Sequence, residues 1–168
     1  DDAAELLLDL GAVDVLIADT EERLEMIWTA RGAFLEAIKS STPQMDECDV
    51  VVPLNKVGEF VKYVDQLASG NQVRIETFGH AGDGNVHVYV CKDSMPDSRW
   101  EETKDLVMQA MYDKAIEFRG QVSGEHGIGH AKKDYLAESI GDRGMQLSAA
   151  IKRAFDPKNI LNPGKVCD

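Results

Sequence analysis

The chain carries four histidines, and three of them fall in two short segments whose neighbours suit chemistry. His80 and His87 flank Ala-Gly-Asp-Gly-Asn-Val, and Glu125 and His126 stand between glycines in Ser123-Gly-Glu-His-Gly-Ile-Gly129. Asp83-Gly84 is a two-residue hairpin signal, and Val73–His80 and Asn85–Cys91 alternate on either side of it. A type I′ turn there pairs His80 with His87, with Cβ atoms about 4.5–5.5 Å apart. Two imidazoles projecting side by side from one face can hold a divalent metal. The same spacing also fits two surface or core histidines that happen to pair. This register sends Val73, Ile75 and Thr77 with Val86, Val88 and Val90 to a core face. Glu76, Phe78 and His80 join His87, Tyr89 and Cys91 on a polar one.

Glycine permits positive φ and close approach of backbone to a ligand. A carboxylate and an imidazole on such a loop therefore suit a site. Glu125 is the candidate third ligand beside His80 and His87, and three protein ligands leave a metal position open, as catalytic sites need. His126 is the candidate general base, since an unperturbed imidazole titrates near neutrality. A flexible acidic surface turn would have the same composition. The phosphate-binding patterns GxGxxG and GxxxxGK are absent. His130 falls just past the loop and is given no role.

Leu24, Arg31 and Ile38 recur every seven residues, so one helix face holds all three and Arg31 interrupts an apolar stripe. A buried guanidinium calls for an anion, and a carboxylate matches its fork. The anion is either a substrate carboxylate or one of the 30 acidic residues. A third option is an Arg whose stem packs while its head reaches water.

Positioning these groups requires an ordered core. The 168 residues, 43% hydrophobic and 29% charged, are ordinary globular composition for one domain or two small ones. Residues 3–10 read as a helix and 12–18 as a strand rich in β-branched residues. Thr20 caps a helix that carries Leu24, Ile27, Trp28, Phe34, Leu35 and Ile38. A short strand follows at 49–53, then an amphipathic helix at 55–68 stopped by Gly70. After the hairpin, Ser98 caps a helix to about Phe118, and a last helical region ends before Asp156-Pro157. Helices and strands mix without strict βαβ alternation, which predicts an α+β layer of antiparallel sheet backed by helices.

A net charge of −12, with no cluster of Lys and Arg, argues against nucleic-acid binding. No apolar run is long enough for a transmembrane helix. Cys48, Cys91 and Cys167 are odd in number and widely spaced, which supports neither a disulfide framework nor a CxxC metal site and suggests a reducing, cytoplasmic setting. Asp1 opens straight into a helix, so the sequence reads as a piece of a longer chain.

Taken together, His80-Ala-Gly-Asp-Gly-Asn-Val-His87, Ser123-Gly-Glu-His-Gly-Ile-Gly129 and Asp156-Pro-Lys-Asn-Ile-Leu-Asn-Pro-Gly-Lys165 resemble the C-terminal domain of FAD-linked oxidases. The nearest likeness is to the branch of the vanillyl-alcohol oxidase superfamily that holds glycolate oxidase and D-lactate dehydrogenase. Trp28-Thr-Ala-Arg31 and Asp49-Val-Val-Val-Pro53 match in the right order, so the resemblance spans nearly all of residues 1–168. It implies a ferredoxin-like α+β cap domain that works with an N-terminal FAD-binding domain outside this sequence. It further implies oxidation of 2-hydroxy acids, with His80, His87 and Glu125 as ligands of Zn, Fe or Mn. His126 is then the base, Arg31 the grip on the substrate carboxylate, and Asn162 part of a segment returning to the FAD domain. Glu47 stands where hydroxyglutarate-oxidising members carry Lys, and Tyr89 where they carry Asn. A small monocarboxylate such as glycolate or lactate is therefore the expected substrate.

The implied reaction passes hydride from the substrate Cα to FAD and electrons onward to an electron-transfer flavoprotein or an iron–sulfur subunit. Two other classes use the same residues: a metal-dependent hydrolase, and a non-catalytic metal-binding module. Neither requires a flavin.

Overall fold

The computed structural model describes residues 2–167. The chain divides after Ser40 into two compact units. The first holds α1 (Asp2–Asp9) and α2 (Glu21–Gly32), and α3 (Phe34–Ser41) reaches the division. Thr20 caps α2 as expected, its hydroxyl accepting the Arg23 N–H at 3.2 Å.

Two expectations for this unit are corrected. Residues 12–18 are not a strand. Their β-branched residues favour extended backbone, but a strand also needs a hydrogen-bonding neighbour, and Val13 and Leu16 lie exposed. The apolar stripe around Arg31 is also not buried: α2 has no buried residue, and α2 and α3 are separate helices, broken at Ala33 between Arg31 and Ile38.

The second unit is built on an antiparallel sheet of β1 (Met45–Val51), β2 (Arg74–His80) and β3 (Asn85–Cys91), in the order β1-β3-β2. It confirms an α+β fold of antiparallel sheet with packed helices. Alternation drives β1: Cys48 and Val50 point to the core and are fully buried. They pack with Val86, Val88 and Val90 from β3, Phe60 and Val64 from α4 (Val57–Asn71), and Trp100, Val107, Met111 and Ala115 from α5 (Asp97–Glu117). Gly70 does not end α4; the helix runs one residue further and closes on Gln72 in the left-handed region, φ 53°. α6 (Lys133–Phe155) kinks at Gly141, whose φ of 67° is non-helical.

The hairpin register also differs from the expected one. His87 pairs with Phe78, and His80 pairs with Asn85. The connection is residues 81–84 rather than Asp83-Gly84 alone, with Asp83 N–H donating to the His80 carbonyl at 2.9 Å. Gly84 adopts φ 73°, and a Cβ there would meet the Val52 carbonyl at 2.1 Å, because Val52 N–H donates to the Gly84 carbonyl. The shift is two residues, an even number. Side chains alternate with period two, so every residue keeps its predicted face.

Candidate metal centre

The face of the sheet away from the core carries the site. β3 is central, so each of its residues has a neighbour on both sides. His87 lies between Asp49 of β1 and Phe78 of β2, and Tyr89 lies between Glu47 and Glu76. His80 stands one row closer to the hairpin tip, opposite Asn85. The His80 and His87 rings meet edge to face with centroids 5.5 Å apart. This face is not the open polar surface that alternation alone suggests: His87, Tyr89 and Cys91 are all buried.

The loop after α5 packs against the His87 end of this face. Val51 and Gln121 exchange backbone hydrogen bonds at 3.1 and 2.8 Å, which ties the start of this segment to the edge of β1. Asp49 then clasps the loop itself. Its Oδ2 accepts the N–H groups of Gly124, Glu125 and His126 at 3.1, 3.1 and 2.9 Å, and the Ser123 hydroxyl at 3.1 Å. Its Oδ1 accepts the Asn85 amide at 2.8 Å, and Lys132 Nζ stands 3.5 Å from Oδ2. Asp49 is wholly buried. Burial pushes its carboxyl pKa up, but the His126 and Glu125 N–H groups, Asn85 and Lys132 outweigh that and hold it far below the usual carboxylate range. Gly124 is required by space: a Cβ would lie 1.7 Å from Asn85 Nδ2 and 2.8 Å from Asp49 Oδ1.

So held, the loop places Glu125 Oε1 3.0 Å from His87 Nε2 and 3.5 Å from His80 Nε2. The three potential ligand atoms lie within 4.8 Å of one another. Burial, first, and the neighbouring His126 lower the His87 pKa, against the pull of Asp49, Glu125 and Glu47. A neutral imidazole is the form that binds metal. Two imidazole nitrogens and a carboxylate oxygen are a donor set for Zn, Fe or Mn, so the residues present fit a divalent cation. His126 lies against this set, its ring stacked on His87 with centroids 5.0 Å apart and planes 19° apart. Its Nε2 is 3.8 Å from Glu125 Oε1.

The fold thus gathers His80, His87, Glu125 and His126, which lie up to 46 positions apart in the chain. Arg31 belongs to α2 of the first unit, with its guanidinium carbon 5.8 Å from the Phe34 ring centroid. Asn162 lies on the C-terminal tail with φ 48°, lining a groove of about 460 Å³ with Ile151 and Phe155 of α6. Reasoning from the residues alone did not place Asp49, Asn85 or Lys132 in the site, and it reached Glu47 only through the family resemblance, while Tyr89 was already on the predicted site face. A signal for Glu47 and Asp49 was present: Cys48, Val50 and Val52 alternate as core residues, which throws those two onto the opposite face.

Known proteins are similar to this chain over most of its length. The profile of the family described as FAD linked oxidases, C-terminal domain, matches residues 2–166. A D-lactate dehydrogenase of Anaerostipes hadrus is 50% identical over 165 residues, 98% of this chain and 35% of that protein. Glycolate oxidase subunit GlcD of Bacillus subtilis is 37% identical over 92% of this chain and 33% of its own length. A D-2-hydroxyglutarate dehydrogenase of Stutzerimonas stutzeri is 32% identical over 92% of this chain and again 33% of its own. The chain spans about a third of the length of these relatives. With the family profile covering nearly every residue and the clustered motifs lying inside it, the chain belongs to the C-terminal domain family of FAD-linked oxidases, related to glycolate oxidase and D-lactate dehydrogenase.

Proposed function

We propose that this chain is the substrate- and metal-holding part of an FAD-dependent 2-hydroxy acid dehydrogenase acting on a small monocarboxylate, of the D-lactate or glycolate type. The observation that carries the reading is the convergence of His80, His87 and Glu125 beside His126 on one sheet face. When bound, FAD supplies the hydride acceptor, and a divalent cation held by His80, His87 and Glu125 supplies Lewis-acid stabilisation of negative charge on oxygen.

The chain's own residues do the rest. His126 Nε2 takes the proton of the substrate hydroxyl, and its partial exposure leaves that nitrogen open to a ligand. Asp49 holds the loop so that Glu125 and His126 keep their places without rearrangement when substrate arrives. Arg31, the residue the family resemblance assigns to the substrate carboxylate, supplies a two-donor fork suited to that anion. Glu47, on the site face, disfavours a second carboxylate on the substrate by charge repulsion. Electrons leave through an electron-transfer flavoprotein or an iron–sulfur subunit.

The test is the full-length protein with a dye acceptor and D-lactate, L-lactate, glycolate and 2-hydroxyglutarate as substrates. The expected result is turnover of a monocarboxylate and a loss of about 10²–10⁴-fold in kcat for His126→Ala. His80→Ala is expected to lose bound metal. Full activity of His126→Ala, or hydrolytic activity without flavin, would overturn the reading.

A further inference from the structure

Glu47 sits on the site face of β1 with its side chain about one-third exposed. Its Oε1 accepts the Tyr89 hydroxyl proton at 2.7 Å. The same oxygen lies 3.1 Å from His126 Nδ1 and 3.7 Å from His87 Nδ1. One carboxylate oxygen therefore faces the δ nitrogens of two stacked imidazoles, and the buried His87 Nδ1 has no hydrogen-bond partner.

A neutral imidazole carries its proton on one nitrogen, and what the ring faces decides which. A carboxylate on the δ side keeps the proton there. The lone pair is then left on Nε2. For His87 that nitrogen is the one 3.0 Å from Glu125, and for His126 it is the one on the Glu125 side, at 3.8 Å. Both are the nitrogens the proposed chemistry needs. Carboxylates that hold the far side of a metal-binding or catalytic histidine commonly change affinity or activity by about 10–100-fold when removed.

We propose that Glu47 is a positioning residue: it sets the tautomer and ring orientation of His126, and it shares the δ side of His87 with Asp49 Oδ1, also 3.7 Å away, while Tyr89 fixes the carboxylate. This rests on the reading of His126 as the base. Glu47, His87 and His126 also form a second group whose ligand atoms lie within 4.8 Å of one another. With a cation on His80, His87 and Glu125, an ion there would need His87 to serve two cations through both ring nitrogens, and it would engage the His126 nitrogen that faces Glu47. Positioning satisfies the same contacts with one proton on each ring.

The experiment uses the full-length protein labelled with ¹⁵N-histidine, together with Glu47→Gln and Tyr89→Phe. In the unsubstituted protein the His126 signals are expected to report an Nδ1-protonated ring. Glu47→Gln should mix the tautomers and lower kcat about 10–100-fold with KM within about threefold. Its metal content per chain at saturating Zn²⁺ should be unchanged. Tyr89→Phe, which keeps the carboxylate and removes only its tether, should move both readouts less in the same direction. Unchanged tautomers and kcat in Glu47→Gln would overturn the proposal. So would loss of a second equivalent of Zn²⁺ from that variant, which would make Glu47 a ligand. A protein that turns over no 2-hydroxy acid would instead refute the proposed function, and the tautomer measurement would still decide the role of Glu47.

Discussion

Replacing Asp49 by Asn changes one oxygen to an amide nitrogen in a pocket where both oxygens now accept from donors. Oδ2 faces three backbone N–H groups, the Ser123 hydroxyl and Lys132, and Oδ1 faces the Asn85 amide. An NH₂ on the Oδ2 side would point at donors, and one on the Oδ1 side is accommodated only if the Asn85 amide turns its otherwise unpartnered oxygen toward it. Lys132, itself largely buried, also loses its counter-charge. Removing one partner of a buried charge pair costs about 3–5 kcal/mol. If that cost falls on the loop, its opening becomes roughly 10²–10⁴ times more frequent, at about 1.4 kcal/mol per factor of ten. The assay is hydrogen exchange of the full-length protein, read at the amides of Gly124, Glu125 and His126. Asn85→Ala, which removes a single donor to a charged group, serves as the graded control and should cost about 1.5–3 kcal/mol. Exchange at those three amides accelerated less than tenfold in Asp49→Asn would refute the clasp. The pH dependence has a fixed sign. The folded pKa lies below the usual 3.8, so the clasp contributes fully above that pH and is lost only as pH falls through the lowered value in strong acid.

Other perturbations test separate parts of the fold. Gly124→Ala places a Cβ 1.7 Å from Asn85 Nδ2 and should destabilise by about 1–3 kcal/mol through forced displacement, with weaker metal retention; a fully retained thermal midpoint and metal content would contradict the packing argument. Asp156 accepts the N–H groups of Ile160 and Leu161 at 3.0 and 2.9 Å and pairs with Lys152, which, against some burial, draws its pKa from 3.8 to about 2. Protection of those two amides should hold above pH 3.8 and fade as pH drops toward about 2, and Asp156→Asn should abolish that dependence. Burial pushes the Cys48 thiol up to about 12, so peptide mapping should find Cys48 unlabelled by a thiol reagent at pH 8 in the folded protein and labelled after denaturation.

Much of the site was legible in the chain itself. The alternation around Asp83-Gly84 announced the hairpin and put His80 and His87 on one face, and the glycines around Glu125-His126 marked a loop made for close approach. The faces survived an error in register because the shift was even, and side-chain direction repeats every two residues. Residues 12–18 went wrong for a different reason. Local preference can favour extended backbone, but pairing is a property of the neighbours. The Arg31 stripe failed likewise, because spacing of seven predicts a shared face only if the helix is continuous, and α2 ends at Gly32.

What sequence alone determined was the kind of groups available and their local geometry: two imidazoles on a strand pair, a carboxylate and an imidazole on a glycine loop, and an α+β arrangement around them. Tertiary structure decided what these groups face. β3 became the central strand, so β1 could bring Asp49 and Glu47 beside His87 and Tyr89 from about 40 positions away. Asp49 then turned a loop into a fixed platform, and burial lowered the His87 pKa. Strand order and burial arise from contacts between distant segments. Local preferences, which act over a few residues, do not encode them.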